Sequence, residues 1–309
     1  MNILKLRWAS LGPLAVLLVL WGIFSIISTN FFTTDNMWNI SRQASALILA
    51  SFAQTFAVIN KGLDISIGSI VGLVSVVTAM VSIEFGVPEG IFAGCLCGAI
   101  IGATNGFFIS LFKVNPIITT IGMLSLARGM AFYITDGMPV TDMPYGFDWI
   151  GSGYFGSIPV SAIIAVIALI ITMFILNITV IGRNLYAVGG NEEAARLAGI
   201  NINFYKMLTY TISGLLAAMA AIVMSSRANS GQATLGYGLP LETIASVVIG
   251  GTILFRGEGN TARTFMGALI ITTIGNGMDL SYISPYIRQI ILGVIVIVAV
   301  LVNQLRSKK

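Results

Sequence analysis

The 309 residues are 56% apolar and only 9% charged, with 16 Lys and Arg against 12 Asp and Glu for a net charge of +4. A soluble domain carries about 25% charged residues to face water, so most of this surface must face lipid, and so small and scattered a positive charge excludes nucleic acid as a partner. No histidine is present and the two cysteines, Cys95 and Cys97, lie two apart in an apolar run, where a helix points them to nearly opposite sides; neither a metal centre, a resident cofactor nor a disulfide is expected.

Lys5 and Arg7 precede the apolar run Leu11–Thr29. It is too long for the roughly 7–15-residue apolar region of a signal peptide, and no small-x-small cleavage site follows it. It reads as a first spanning helix. Stretches near the length of about 20 apolar residues that a crossing needs follow at Gln43–Asn60, Ile65–Ile83, Ile91–Phe112, Pro116–Thr135, Ile158–Ile181 and Met207–Ser226. Thr243–Phe255, Thr264–Met278 and Gln289–Leu305 complete ten spans, the eighth and ninth being short and rich in glycine.

Charge supports this number. An even number of spans puts both termini on one side, and if that side is the cytoplasm, Lys5, Arg7, Lys61, Lys113, Arg183, Arg196, Lys206, Arg256, Arg263, Arg306, Lys308 and Lys309 lie inside. Only Arg42, Arg128, Arg227 and Arg288 fall outside or near the outer end of a span, which is the bias of the positive-inside rule. The expected fold is all-α, one multi-pass transmembrane domain over residues 1–309 in the inner (cytoplasmic) membrane, with halves at about 1–157 and 158–309. The fourth span carries Gly98-Ala99-Ile100 then Asn105-Gly106, and the ninth Gly267-Ala268-Leu269 then Asn276-Gly277. Spans five apart run in opposite directions, so the halves are expected to form an inverted repeat, an architecture recurrent in transporters.

Between the sixth and seventh spans lies the longest charged connection, 182–203. Within it Asn191 is a good N-cap, Glu192 and Glu193 place negative charge at the positive end of a helix dipole, Arg196 falls late and Gly199 supplies a stop. A helix of about two turns is expected, with Ala194, Leu197 and Ala198 on one side. So short a helix is marginal alone, so it either lies on the headgroups or fits a groove on a cytoplasmic partner; the second is the favoured reading.

This stretch resembles the cytoplasmic coupling loop of the bacterial ABC-importer permeases for ribose and related monosaccharides. Gly62-Leu63-Asp64-Ile65-Ser66-Ile67-Gly68-Ser69 is similar to a signature of that family. So are Asn115-Pro116 through Gly122 with Arg128-Gly129, Ile244 through Gly250-Gly251-Thr252, and Gly267-Ala268 through Asn276-Gly277. The likeness runs in family order from about residue 40 to the C-terminus. One departure is Arg256-Gly257-Glu258-Gly259, where the family has a Gly-Gly-x-Gly turn. The resemblance implies a membrane-spanning subunit that works beside a second permease protomer, identical or related. Its other implied partners are two cytoplasmic ATP-binding-cassette subunits, which would bind the ATP, and a periplasmic or extracellular sugar-binding protein. A ribose-like pentose is the first expectation for the sugar.

The residues also have readings of their own. Asp64 is expected as an N-cap at the start of the third span, with Lys61 nearby. Arg128 is a costly intramembrane charge, expected to snorkel outward. Gln54, Asn60, Asn105 and Asn276 either bridge helices or line the pathway and touch sugar hydroxyls. No G-x-x-x-x-G-K-[ST] phosphate loop and no catalytic constellation occurs, so the chain itself is not expected to be an enzyme. The alternatives are an ion-coupled secondary transporter, for which Glu242 is the one tempting coupling acid, and a passive channel or scaffold.

Overall fold

The computed structural model describes residues 3–307, with side-chain surroundings for 12–298, 300 and 301. The charges of Lys5, Arg7, Arg306, Lys308 and Lys309, which the topology reading used, therefore lie outside the described side chains. In order the elements are α1 (Ile3–Ile27), α2 (Thr34–Ile59), α3 (Ile67–Phe85), α4 (Val87–Ser110), α5 (Pro116–Thr135) and α6 (Trp149–Ser152). A hairpin of β1 (Tyr154–Phe155) and β2 (Ile158–Pro159) follows, paired antiparallel with Tyr154 opposite Pro159. Then come α7 (Val160–Ile178), α8 (Val180–Gly190), α9 (Glu192–Leu197), α10 (Ile202–Ala228), α11 (Leu239–Ile249), α12 (Thr261–Leu280) and α13 (Pro285–Ser307).

Each of the ten apolar stretches read from the sequence holds a helix. Among the described residues six of these, α2, α3, α4, α5, α7 and α10, are long and apolar enough to cross a membrane. The outward faces are apolar: Val19, Phe92, Ile170 and Ile297 are each more than 60% exposed. Apolar surface this continuous is not tolerated in water. It suits lipid.

The core is built on α2, whose residues from Ala44 to Ile59 are all buried, and which packs against α7, α10, α11 and α12. A helix apolar on every side belongs in the middle of a bundle. The closest helix pair is α4 with α10. A Cβ at Gly98 would lie 2.5 Å from the Gly214 carbonyl oxygen and 2.6 Å from Ala218 Cβ, so the two backbones touch, as small residues allow between membrane helices.

Two expectations change. The 182–203 connection was read as a loop with one short helix, but its first part, Val180–Gly190, is helical. Thr179 caps it by accepting from the Gly182 N–H at 3.2 Å, and Gly182 and Gly189 serve contact rather than breakage. The eighth span was expected at Thr243–Phe255; the helix instead begins at Leu239 and ends at Ile249, where Gly250 lies against α12 and Gly251, at φ 90°, turns the chain away. The non-helical segment 229–238 leads into α11 from the far side.

Candidate coupling surface and polar interior

The short helix forms where the sequence placed it. Asn191 Oδ1 accepts from the Glu193 and Ala194 N–H groups at 3.0 and 3.1 Å, and Gly199 takes a left-handed φ of 80° that ends it. Ala195 is the buried residue of α9, resting on Val188 and Ile202. Ala194, Arg196 and Ala198 are exposed and Leu197 is 85% exposed. Glu192 pairs with Lys206 at 2.6 Å, while Glu193 faces solvent. The helix thus presents an apolar knob in a ring of charge.

Its base on α8 is fixed to two other segments. Tyr186 Oη on α8 donates to the Gly259 carbonyl at 2.7 Å, and burial pushes this phenol above its ordinary pKa. Lys61 Nζ donates to the Gly190 carbonyl at 2.8 Å, so it reaches toward α8 and not toward Asp64, as expected above. Gly189 packs on the Ile59 carbonyl and on Gly257, and Gly259 on the Ile59 side chain. The α2–α3 connection, α8–α9 and the α11–α12 connection therefore form one platform, and the glycines of Arg256-Gly257-Glu258-Gly259 are its contact points.

Behind the platform, Asp64 is fully buried. It is not the cap of α3, which is Ser66. Asp64 Oδ1 accepts from Ser66 N–H at 3.1 Å and Ser66 Oγ at 2.5 Å, and Oδ2 accepts from Ser213 Oγ on α10 at 2.7 Å. Asn105 Nδ2 on α4 donates to Ser66 Oγ at 2.9 Å. The motif joins three helices, a role a local N-cap reading misses because Ser213 lies 149 residues away. Gly62 sits against Tyr210 and Pro116; Asn115 caps α5, accepting from Ile117 N–H at 2.9 Å.

Arg128 overturns its expectation. It is 8% exposed and does not snorkel. Its guanidinium donates to the carbonyls of Ala233, Leu235 (2.8 Å) and Gly68 (2.7 Å) and lies over the Tyr237 ring, 4.5 Å from its centroid. Carbonyls of the non-helical 229–238 segment have no intrahelical donors, and non-helical backbone at membrane depth must be satisfied by protein. Arg128 supplies those donors, helped by Ser75, whose Oγ donates to the Gln232 carbonyl at 2.9 Å and accepts from its N–H at 3.1 Å.

The four polar candidates are not brought together. Asn276 and Asn36 exchange two amide bonds of 2.9 Å, Asn60 donates to Thr209, and Asn105 bonds Ser66; these three bridge helices. Gln54 is fully buried with neither amide atom paired among the described residues. Gly250 and Gly251 end α11. Sequence reasoning missed a cavity of about 410 Å³ between α11 and α13, lined by Glu242, Arg288 and Gln289; the signal available was Glu242 itself, an acid in an apolar stretch.

Known proteins with this pattern are membrane permeases. The chain is 38% identical to the ribose import permease protein RbsC of Bacillus subtilis, covering 96% of this chain and 93% of that one. It is 35% identical to the L-arabinose transport system permease protein AraH of Escherichia coli (97% and 92% covered) and 33% identical to its D-allose transport system permease protein AlsC (98% and 94%). No solved structure shows a significant match. Residues 36–300 match the model of one family. With that match over most of its length, the chain belongs to the family described as branched-chain amino acid transport system / permease component.

Proposed function

We propose that this chain is the membrane-spanning permease subunit of an ATP-driven monosaccharide importer. It crosses the inner membrane ten times with both termini in the cytoplasm, pairs with a second permease protomer, and works with two cytoplasmic ATPase subunits and an external sugar-binding protein. The observation that carries the reading is the α8–α9 platform. Leu197 stands out at 85% exposure on a helix whose base is bonded to the α2–α3 and α11–α12 connections. A push on that knob reaches segments before α3 and before α12, so it moves both halves of the chain together. The printed names of the relatives, permeases for ribose, L-arabinose and D-allose, point to monosaccharides as the cargo.

In this mechanism, closure of the ATPases on ATP shifts α9, and the halves alternate between outward and inward openings. Gln54, fully buried in the middle of α2, is the one of the four interior amides with neither amide atom paired among the described residues, the Oδ1 atoms of Asn60 and Asn105 being unpaired as well. The test is purification of the chain in mild detergent with whatever accompanies it. A phosphate-loop ATPase is expected to co-purify, and its hydrolysis is expected to rise with a sugar-loaded binding protein. Leu197→Arg is expected to leave the complex's sugar binding intact while abolishing that stimulation. Recovery of the chain alone, with sugar uptake that survives ATP depletion but not loss of the proton gradient, would sink the reading.

A further inference from the structure

We propose that the cavity between α11 and α13 is a monosaccharide-binding site of the permease itself, with the Glu242 carboxylate as its hydroxyl acceptor. This rests on the importer reading and deepens it. The cavity measures about 410 Å³, within the range of about 300–1,000 Å³ typical of small-molecule sites.

Glu242 lies in the first turn of α11, at the end of that helix away from the α8–α9 platform. It is half-buried, and among the described residues its carboxylate accepts no hydrogen bond and closes no ion pair. Arg288, the cation lining the same cavity, is held 3.4 Å from Asp279. A half-buried carboxylate in an apolar helix is costly unless it is given donors, and this one has none among the described residues. Gln289, beside Arg288 at the start of α13, adds an amide that both donates and accepts. Tyr237 forms the rim, 70% exposed, its ring held by Arg128 across 4.5 Å. Leu241 and Leu292 supply the apolar wall.

These groups select a chemistry. The lining carries one carboxylate and one guanidinium, the guanidinium also facing Asp279, so no cluster of like charges is present to hold a free ion. An acceptor, a donor fork, an amide and a fixed aromatic edge match an uncharged polyol, whose hydroxyls both donate and accept and whose C–H face is apolar. Arg288 is kept in place by Gly275 on α12: a Cβ there would lie 2.6 Å from Arg288 Nη2.

The experiment has two parts. D-ribose, L-arabinose and D-allose uptake is measured in cells carrying the whole transporter, with Glu242→Ala and Glu242→Gln present at wild-type membrane abundance. Glu242→Ala is expected to raise KM for the transported sugar about tenfold or more with Vmax nearly kept, as loss of a hydrogen bond to a charged acceptor predicts, and Glu242→Gln is expected to raise it less. Separately, in a chain with Cys95→Ser and Cys97→Ser, Gln289→Cys is expected to react with a membrane-impermeant thiol reagent, and the transported sugar is expected to slow that reaction at least threefold while leaving a lipid-facing Ile297→Cys unaffected. An unchanged KM in both Glu242 variants, or labelling at position 289 indifferent to sugar, overturns the site while wild-type uptake preserves the importer reading. Uptake that depends on the proton gradient and is abolished by Glu242→Gln makes Glu242 a proton-coupling acid and overturns both. A wild-type transporter that moves none of the sugars removes the importer reading and the site with it.

Discussion

Replacing Asp64 with alanine tests whether its hydrogen bonds or merely its position at a helix start matter. The carboxylate accepts three bonds, two from Ser66 and one from Ser213, and is fully buried. Side-chain bonds between membrane helices average about 0.6 kcal/mol, and bonds to charged groups reach about 1.5–3 kcal/mol. Truncation also leaves the Ser213 hydroxyl and the Ser66 N–H without their partner. The cost of Asp64→Ala is therefore about 2–4 kcal/mol. Asn at this position keeps the shape, accepts both Ser66 bonds through its oxygen, and lets the Ser213 hydroxyl reverse and accept from its NH₂, so Asp64→Asn is expected to cost about 1 kcal/mol or less. The assay is heat-induced loss of the monodisperse peak in detergent, run on wild type, both variants and Ser213→Ala. Equal losses for Ala and Asn would refute the hydrogen-bond account and make the charge decisive. No loss in Asp64→Ala would refute the network altogether.

Arg128→Lys keeps the charge but cannot reach three carbonyls with a planar fork; it is expected to cost about 1.5–3 kcal/mol and to speed hydrogen exchange across 229–238 before any other segment. Asn191→Ala removes two bonds to α9 and is expected to cost about 1 kcal/mol locally, read as faster exchange at Glu193 and Ala194 with the thermal midpoint of the bundle unchanged.

Elements with local punctuation were legible in the sequence. α5 runs from Pro116 to Thr135 as read, because Asn115 and Pro116 are a cap and a first-turn proline in series. α9 was readable for the same reason. α8 was not, since Gly182, Gly189 and Gly190 look like breakers until the Ile175 and Leu176 carbonyls are seen to fill the side-chain space at Gly182, and Ile59 and Gly257 that at Gly189. Arg128 was misplaced because a pattern of apolar neighbours shows depth but not acceptors; those acceptors are carbonyls at 233 and 235, in a segment with no helical signal of its own. Asn105 and Asn276, which the sequence pairs as an expected repeat, have different partners, Ser66 and Asn36, so their side-chain bonding does not follow that pairing.

The half-length α11 also has a consequence for biosynthesis. Eleven residues span about 16 Å, roughly half of a hydrocarbon core of about 30 Å, so α11 is too short to be recognised alone as it leaves the ribosome. Arg128, by then already in the membrane, needs carbonyls 105 and 107 residues further along the chain. At about 5–20 residues per second it waits roughly 5–20 s with the Gly68 carbonyl as the one of its three acceptors already made. The arrival of 229–238 ends that wait, so α11 enters a partly built bundle ahead of α12 and α13, drawn in by a charge placed there beforehand.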